Sequence, residues 1–100
     1  MTDPTPLHPP FNARAVLRIC NKRGLHARAS AKFVKLAECF DANITVTKDG
    51  TEVSACSIMG LMMLAAGPGS DIEVRAMGMG AEQAVSSLKE LVERGFDETD

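Results

Sequence analysis

From Ala13 the chain alternates, with Ala15, Leu17 and Ile19 on one side and Val16 and Arg18 on the other, the period-two pattern of a half-buried strand. The loop NKRG, residues 21–24, ends it. From Ala27 the period lengthens: Ala29, Phe33, Leu36, Ala37 and Phe40 share one helical face, while Arg28, Lys32, Lys35 and Glu38 fall away from it. Alternation returns in NITVTK, where Ile44 and Val46 oppose Thr45 and Thr47, and Asp49-Gly50 supplies the residue types of a tight hairpin turn before TEVS. Ser57 is positioned to cap a short helix over residues 58–65, which stops before GPGS because glycine and proline end helices. In DIEVRAM, Ile72, Val74 and Ala76 face away from Glu73 and Arg75. A last helix is predicted from about Ala81, with Ala84, Val85, Leu88, Leu91 and Val92 inside, Gly95 as a left-handed cap and Phe96 folding back onto the final turn.

Each strand carries one apolar and one polar face, which predicts a sheet covered by helices on one side only. The expected fold is therefore a two-layer α+β domain in the order βαββαβα, over residues 13–96. Residues 1–12 hold four of the five prolines and show no periodicity, so they read as a flexible extension, and residues 97–100 read as a tail. One hundred residues with 45% hydrophobic content suffice for one core and leave little room for a second.

Composition narrows the function. Eleven basic and thirteen acidic residues give a net charge of −2, which excludes a general electrostatic grip on nucleic acid or anionic membrane. The apolar run IMGLMMLAAG is half a membrane span, and no basic stretch followed by an apolar core opens the chain. The expectation is a soluble, cytoplasmic monomer. Cys20, Cys39 and Cys56 match neither a disulfide framework nor a zinc knuckle and read as reduced thiols, so no metal and no cofactor is expected; His8, in the proline-rich segment, is no better placed to join them. Paired carboxylates, a nucleophilic triad and a phosphate-binding glycine loop are all missing, which argues against an enzyme.

The candidate chemistry lies in NKRGLHARASAKF, residues 21–33. A helix start presents backbone N–H groups without intrahelical partners and the positive end of the helix dipole, which together suit an anion. The backbone of Ala27 and Arg28 would line that site, the Arg28 guanidinium would add two donors for a phosphate, and Gly24 would let the preceding loop turn. His26 borders it. Its ring could bind phosphate as a cation, or attack phosphorus as a neutral nucleophile, a form that the positive helix end favours. It could also be no more than a cap or an exposed residue, and spacing alone leaves these alternatives open.

The segments GLHARASAKFV and SACSIMGLMMLAAGPGSDIEVRA, taken together, resemble the HPr family, the histidine-containing phosphocarriers of the bacterial phosphoenolpyruvate-dependent phosphotransferase system. The likeness covers roughly residues 14–95. It implies an open-faced β-sandwich, a four-stranded antiparallel sheet with three helices on one face. It further implies that His26 is phosphorylated on Nδ1 by phospho-enzyme I and passes the group to a IIA-type protein, that Arg28 stabilises the phosphate, and that Ser57 is a regulatory site for an HPr kinase/phosphorylase. Two departures stand out. Ala29 replaces the proline that many members carry, losing a preset φ at the helix start and predicting a softer site. Cys56 replaces a lysine before the serine, leaving less positive charge for kinase recognition.

The predicted second helix is apolar around most of its circumference. Leu61 and Leu64 suit the core, which leaves Ile58, Met59 and Met62 as a patch near the helix start, close to the anion site; flexible methionines suit a surface that fits several partners. From periodicity alone all six apolar residues, Met63 included, could equally be core; the resemblance makes the patch a docking surface. Phosphate on Ser57 would keep the helix start satisfied while placing charge beside that patch. The competing functional reading is a regulatory interaction module of the nitrogen-type branch, whose output is phosphorylation-dependent binding to target proteins. A third reading is a plain structural domain with His26 as a cap.

Overall fold

The computed structural model describes residues 12–98. The proline-rich extension expected at 1–12 lies outside them except for Asn12, which already belongs to the first strand. The elements are β1 (Asn12–Arg18), α1 (Ala27–Ala37), β2 (Asn43–Lys48), β3 (Thr51–Ser54), α2 (Ile58–Met63), β4 (Asp71–Met77) and α3 (Ala81–Glu93), followed by a 3-10 turn over Gly95–Asp97. The order βαββαβα is the one read from the sequence.

The four strands form one sheet in the order β1-β4-β2-β3, with every pairing antiparallel. Strand β4 is central because its inner residues have a partner on either side: Val74 lies opposite Ala15 on β1 and Val46 on β2. Ile72, Val74, Ala76, Ile44 and Val46 are buried, whereas Arg14, Val16, Arg18 and Arg75 on the opposite face are exposed. The helices therefore cover one face only. On the open face Arg14 sits opposite Arg75, a like-charge pair that destabilises a sheet unless something intervenes. Glu73 intervenes, 2.7 Å from the Arg14 Nε and 3.4 Å from the Arg75 Nε. The β2–β3 hairpin turns through Asp49 and Gly50, at φ 50° and 83°, as the Asp-Gly pair predicts for a two-residue turn.

Helix α3 packs on β1 and β4, and α1 packs against both α2 and α3. Ala81, Ala84, Val85, Leu88, Leu91 and Val92 all face inward from α3. Gly95, at φ 64°, ends that helix and turns Phe96 into the core, where it is fully buried.

Two local expectations are corrected. Helix α2 stops at Met63, short of residue 65, because Ala65 takes a left-handed φ of 53°. On α1, Ser30 and Val34 join Ala29, Phe33 and Ala37 in the interior, while Leu36 and Phe40 are only half-buried. The helix ends at Ala37, so helical periodicity has no hold on Phe40. A buried serine costs free energy unless its hydroxyl is paired, and the Ser30 Oγ donates to the Leu25 carbonyl at 3.1 Å.

Gly24 fixes the approach to α1. It has φ +65°, and a Cβ there would stand 2.2 Å from the Ala66 carbonyl oxygen. The loop before α1 can thus lie against the loop after α2, an arrangement held by the Leu25 N–H donating to the Ala66 carbonyl at 2.9 Å. Gly24→Ala combines a left-handed penalty with overpacking against backbone and is expected to destabilise the fold by about 2–4 kcal/mol. Urea unfolding measures this directly; a loss below about 0.5 kcal/mol, the scale of an ordinary surface substitution, would contradict the close approach.

Candidate functional site

His26 is the N-cap of α1. Its backbone is extended, φ −72° and ψ 179°, and its carbonyl accepts the first helical hydrogen bond, from the Ser30 N–H at 2.8 Å. Its side chain makes no capping bond, and the first turn carries no acidic residue. The amides of Ala27, Arg28 and Ala29 therefore remain without a side-chain acceptor from the cap, at the positive end of the helix dipole. Arg28 projects from this first turn, exposed, and takes part in none of the ion pairs among the described residues. Ala29 is fully buried, and α1 begins at Ala27 without the help of a proline.

The His26 side chain is 15% exposed. The residue borders an open cavity of about 240 Å³ lined by Arg23, Leu25, His26, Ala65, Ala66 and Gly67. The partner of its ring comes from the far end of the chain: Nε2 meets the Glu98 carboxylate. The other Glu98 oxygen accepts from Asn21 Nδ2 at 3.0 Å, and Asn21 Nδ2 also donates to the Gly24 carbonyl at 2.9 Å. Both neighbours are acceptors, which fixes the orientation of the Asn21 amide. Asn21 Oδ1 is buried with no hydrogen-bond partner among the described residues. Lys32 Nζ donates to the Phe96 carbonyl at 2.7 Å and tethers the same terminal segment to α1. Glu98 is held below its ordinary pKa by the hydrogen bond from Asn21 and then by that from His26, with the charge of Lys32 adding to both.

The structure does not treat residues 97–98 as a tail. Asp97 closes the 3-10 turn and Glu98 reaches the imidazole. Periodicity could not have found this contact, because it joins residues 72 positions apart through an irregular turn.

Ser57 caps α2 as expected, its Oγ accepting from the Gly60 N–H at 2.9 Å. Leu61 and Leu64 are buried, and Ile58, Met59 and Met62 are exposed at 40%, 70% and 40%. Met63, which the sequence reading did not place in the patch, is 75% exposed and extends it. The patch runs the length of α2, and it is the end carrying Met62 and Met63, not the helix start, that lies nearer the anion site. Residues Ala65, Ala66 and Gly67, beyond the C-terminal end of α2, border the His26 cavity. Ser57 and Ile58 lie at the opposite end of the six-residue helix, about 9 Å of helical rise away. Cys20, Cys39 and Cys56 are all free and exposed. No helix among the described residues is long and apolar enough to cross a membrane.

The one-sided antiparallel sheet carries a histidine at an otherwise uncapped helix start, and comparison with known proteins shows the class of domain to which this arrangement belongs. Residues 13–94 match the family described as the PTS HPr component phosphorylation site. The chain is 48% identical over 82 residues to the phosphocarrier protein HPr of Xylella fastidiosa strain Temecula1, covering 82% of this chain and 92% of that one. It is 40% identical over 89 residues to the phosphocarrier protein NPr of Escherichia coli, covering 88% and 99%. The crystal structure of HPr-C-His from Thermoanaerobacter tengcongensis superposes with a TM-score of 0.84 at 40% identity, over 88% of this chain and 99% of that one. The chain belongs to the HPr family of phosphotransferase-system phosphocarriers.

The Glu98 contacts carry a pH dependence with a definite sign. A carboxylate whose folded pKa is depressed contributes stability above its unfolded value, ordinarily 4.5, and loses it as pH falls through the lower folded value. The Glu98 carboxyl carbon, followed by NMR, is expected to titrate below 4.5, with the amide signals of Asp97 and Glu98 moving in the same window as the terminal turn loosens. A midpoint at or above 4.5 would mean that the contacts with Asn21 and His26 do not persist in solution.

Proposed function

We propose that His26 is the residue that carries the phosphoryl group, accepting it from phospho-enzyme I and passing it to a IIA-type protein. The observation that supports this most is the pairing of an imidazole at the N-cap of α1 with first-turn amides that no side chain caps, in a chain of the phosphocarrier family. In the forward step the Nδ1 lone pair attacks phosphorus, a P–N bond forms, the bond from phosphorus to the donor breaks, and the donor leaves with the bonding pair. The second step is the same exchange with the IIA-type acceptor as nucleophile. The Ala27 and Arg28 amides and the Arg28 guanidinium hold the phosphoryl oxygens, stabilising charge without trapping it.

Partners dock on Ile58, Met59, Met62 and Met63, whose flexible side chains adapt to different surfaces. Ser57, at the start of that helix, is the regulatory position: phosphate there meets the helix dipole favourably and sets a double negative charge beside the apolar face, which opposes docking by an acidic partner. Because Ser57 lies at the end of α2 away from the His26 cavity, this control acts on docking and not on the reacting ring.

The second reading, a nitrogen-type regulatory module acting through phosphorylation-dependent binding, is favoured by the NPr relatives, including the one from Escherichia coli matched over 99% of its length. Pull-downs with phosphorylated and unphosphorylated protein separate the two outputs. For the carrier itself, the protein is incubated with enzyme I, magnesium and phosphoenolpyruvate, and its intact mass is measured. One acid-labile phosphate is expected, absent in His26→Ala with the fold intact; Arg28→Ala is expected to slow transfer on the order of 100-fold. Phosphate that persists in His26→Ala would overturn the assignment.

A further inference from the structure

Resting on His26 as the phosphoryl acceptor, we propose that Glu98 and Asn21 are positioning residues that hold the imidazole with its proton on Nε2, leaving Nδ1 as the only ring nitrogen open to phosphorus. A carboxylate has no proton to give at neutral pH, so the contact between Glu98 and Nε2 requires Nε2–H as the donor. The neutral ring then carries its lone pair on Nδ1. One partner on one nitrogen settles the tautomer, as second partners of histidine commonly do.

Glu98 reaches the ring at a local cost. Gly95, Phe96 and Asp97 follow one another at φ 64°, 57° and 60°, a left-handed run that residues other than glycine adopt unwillingly. Three contacts hold that turn in place: the buried Phe96 ring, the Lys32 bond to the Phe96 carbonyl, and Asn21 on the second Glu98 oxygen. Asn21 is itself 6% exposed and leaves its own Oδ1 unpaired while its amide nitrogen bridges Gly24 and Glu98. That bridge ties the loop before His26 to the residue that orients His26.

The same contact serves the transfer. When the Nδ1 lone pair forms the P–N bond, the ring still holds its Nε2 proton and acquires positive charge. The Glu98 carboxylate faces that charge and stabilises it without taking the proton, as a carboxylate behind a catalytic histidine does. The charged ring is the better leaving group, so the phosphoryl group stays transferable; when the P–N bond breaks, the pair returns to Nδ1.

The test uses the full chain in a His8→Ala background, so that a single imidazole reports. In ¹⁵N-labelled protein without any phosphoryl donor, wild-type Glu98 is expected to give the Nε2–H tautomer with a slowly exchanging Nε2 proton. Glu98→Ala is expected to accelerate that exchange by at least about tenfold, for one part-buried hydrogen bond lost, and to admit the Nδ1–H tautomer. Phosphoramidate, a chemical donor that needs no enzyme, is then expected to label Nδ1 in the wild type and both ring nitrogens in Glu98→Ala. Unchanged proton exchange together with Nδ1-only labelling in the variant would overturn the proposal. Both readouts are independent of enzyme I: a failure of enzymatic transfer with the tautomer as described would count against the carrier assignment and not against the clasp.

Discussion

The close approach of two loops underlies the site. Gly24 lies against the Ala66–Gly67 backbone, and the Leu25 N–H is bonded to the Ala66 carbonyl. That contact fixes where α1 begins, because His26 follows one residue later with its backbone already extended. It also fixes where α2 ends, because Ala65 must turn left-handed to present Ala66. The cavity beside the imidazole is the space these two loops leave between them. A side chain at position 24 would push them apart, and both helix ends would have to move. The sheet sets the layer and the core holds it, but the juxtaposition of helix start, ring and cavity depends on a glycine.

Much of this fold was legible because its elements are regular. The strands Asn43–Lys48, Thr51–Ser54 and Asp71–Met77 have the limits that alternation and the Asp-Gly pair suggest, and the inner face of α3 matches the residues chosen by period. Periodicity fails where an element is too short or too irregular to have one. Ser30 reads as a surface residue until its bond to Leu25 is seen, and Phe40 reads as helical although α1 has already ended. His26 and Arg28 could be singled out because they sit on a regular feature, a helix start. Asn21 and Glu98 could not, since their contact depends on three successive left-handed residues near the end of the described chain. No local signal in GFDE announces a carboxylate aimed at an imidazole.

The electrostatics of the two faces differ in kind. On the open face of the sheet, Glu73 offsets two opposed arginines, all of them partly or wholly in water, where such pairs contribute little to stability. At His26 a single carboxylate is largely shielded and bonded on both oxygens. There its placement matters more than its energy, because a ring nitrogen is selected by which atom faces which.

The short helix α2 has a consequence for how this scaffold diversifies. The loop beyond its C-terminal end borders the His26 cavity, whereas Ser57, Ile58 and Met59 stand at its other end. Substitutions at Cys56, Ile58 and Met59 therefore alter the outward surface without touching the backbone that frames the ring. The first turn of α2 can thus change its outward side chains while the surroundings of the ring stay as they are.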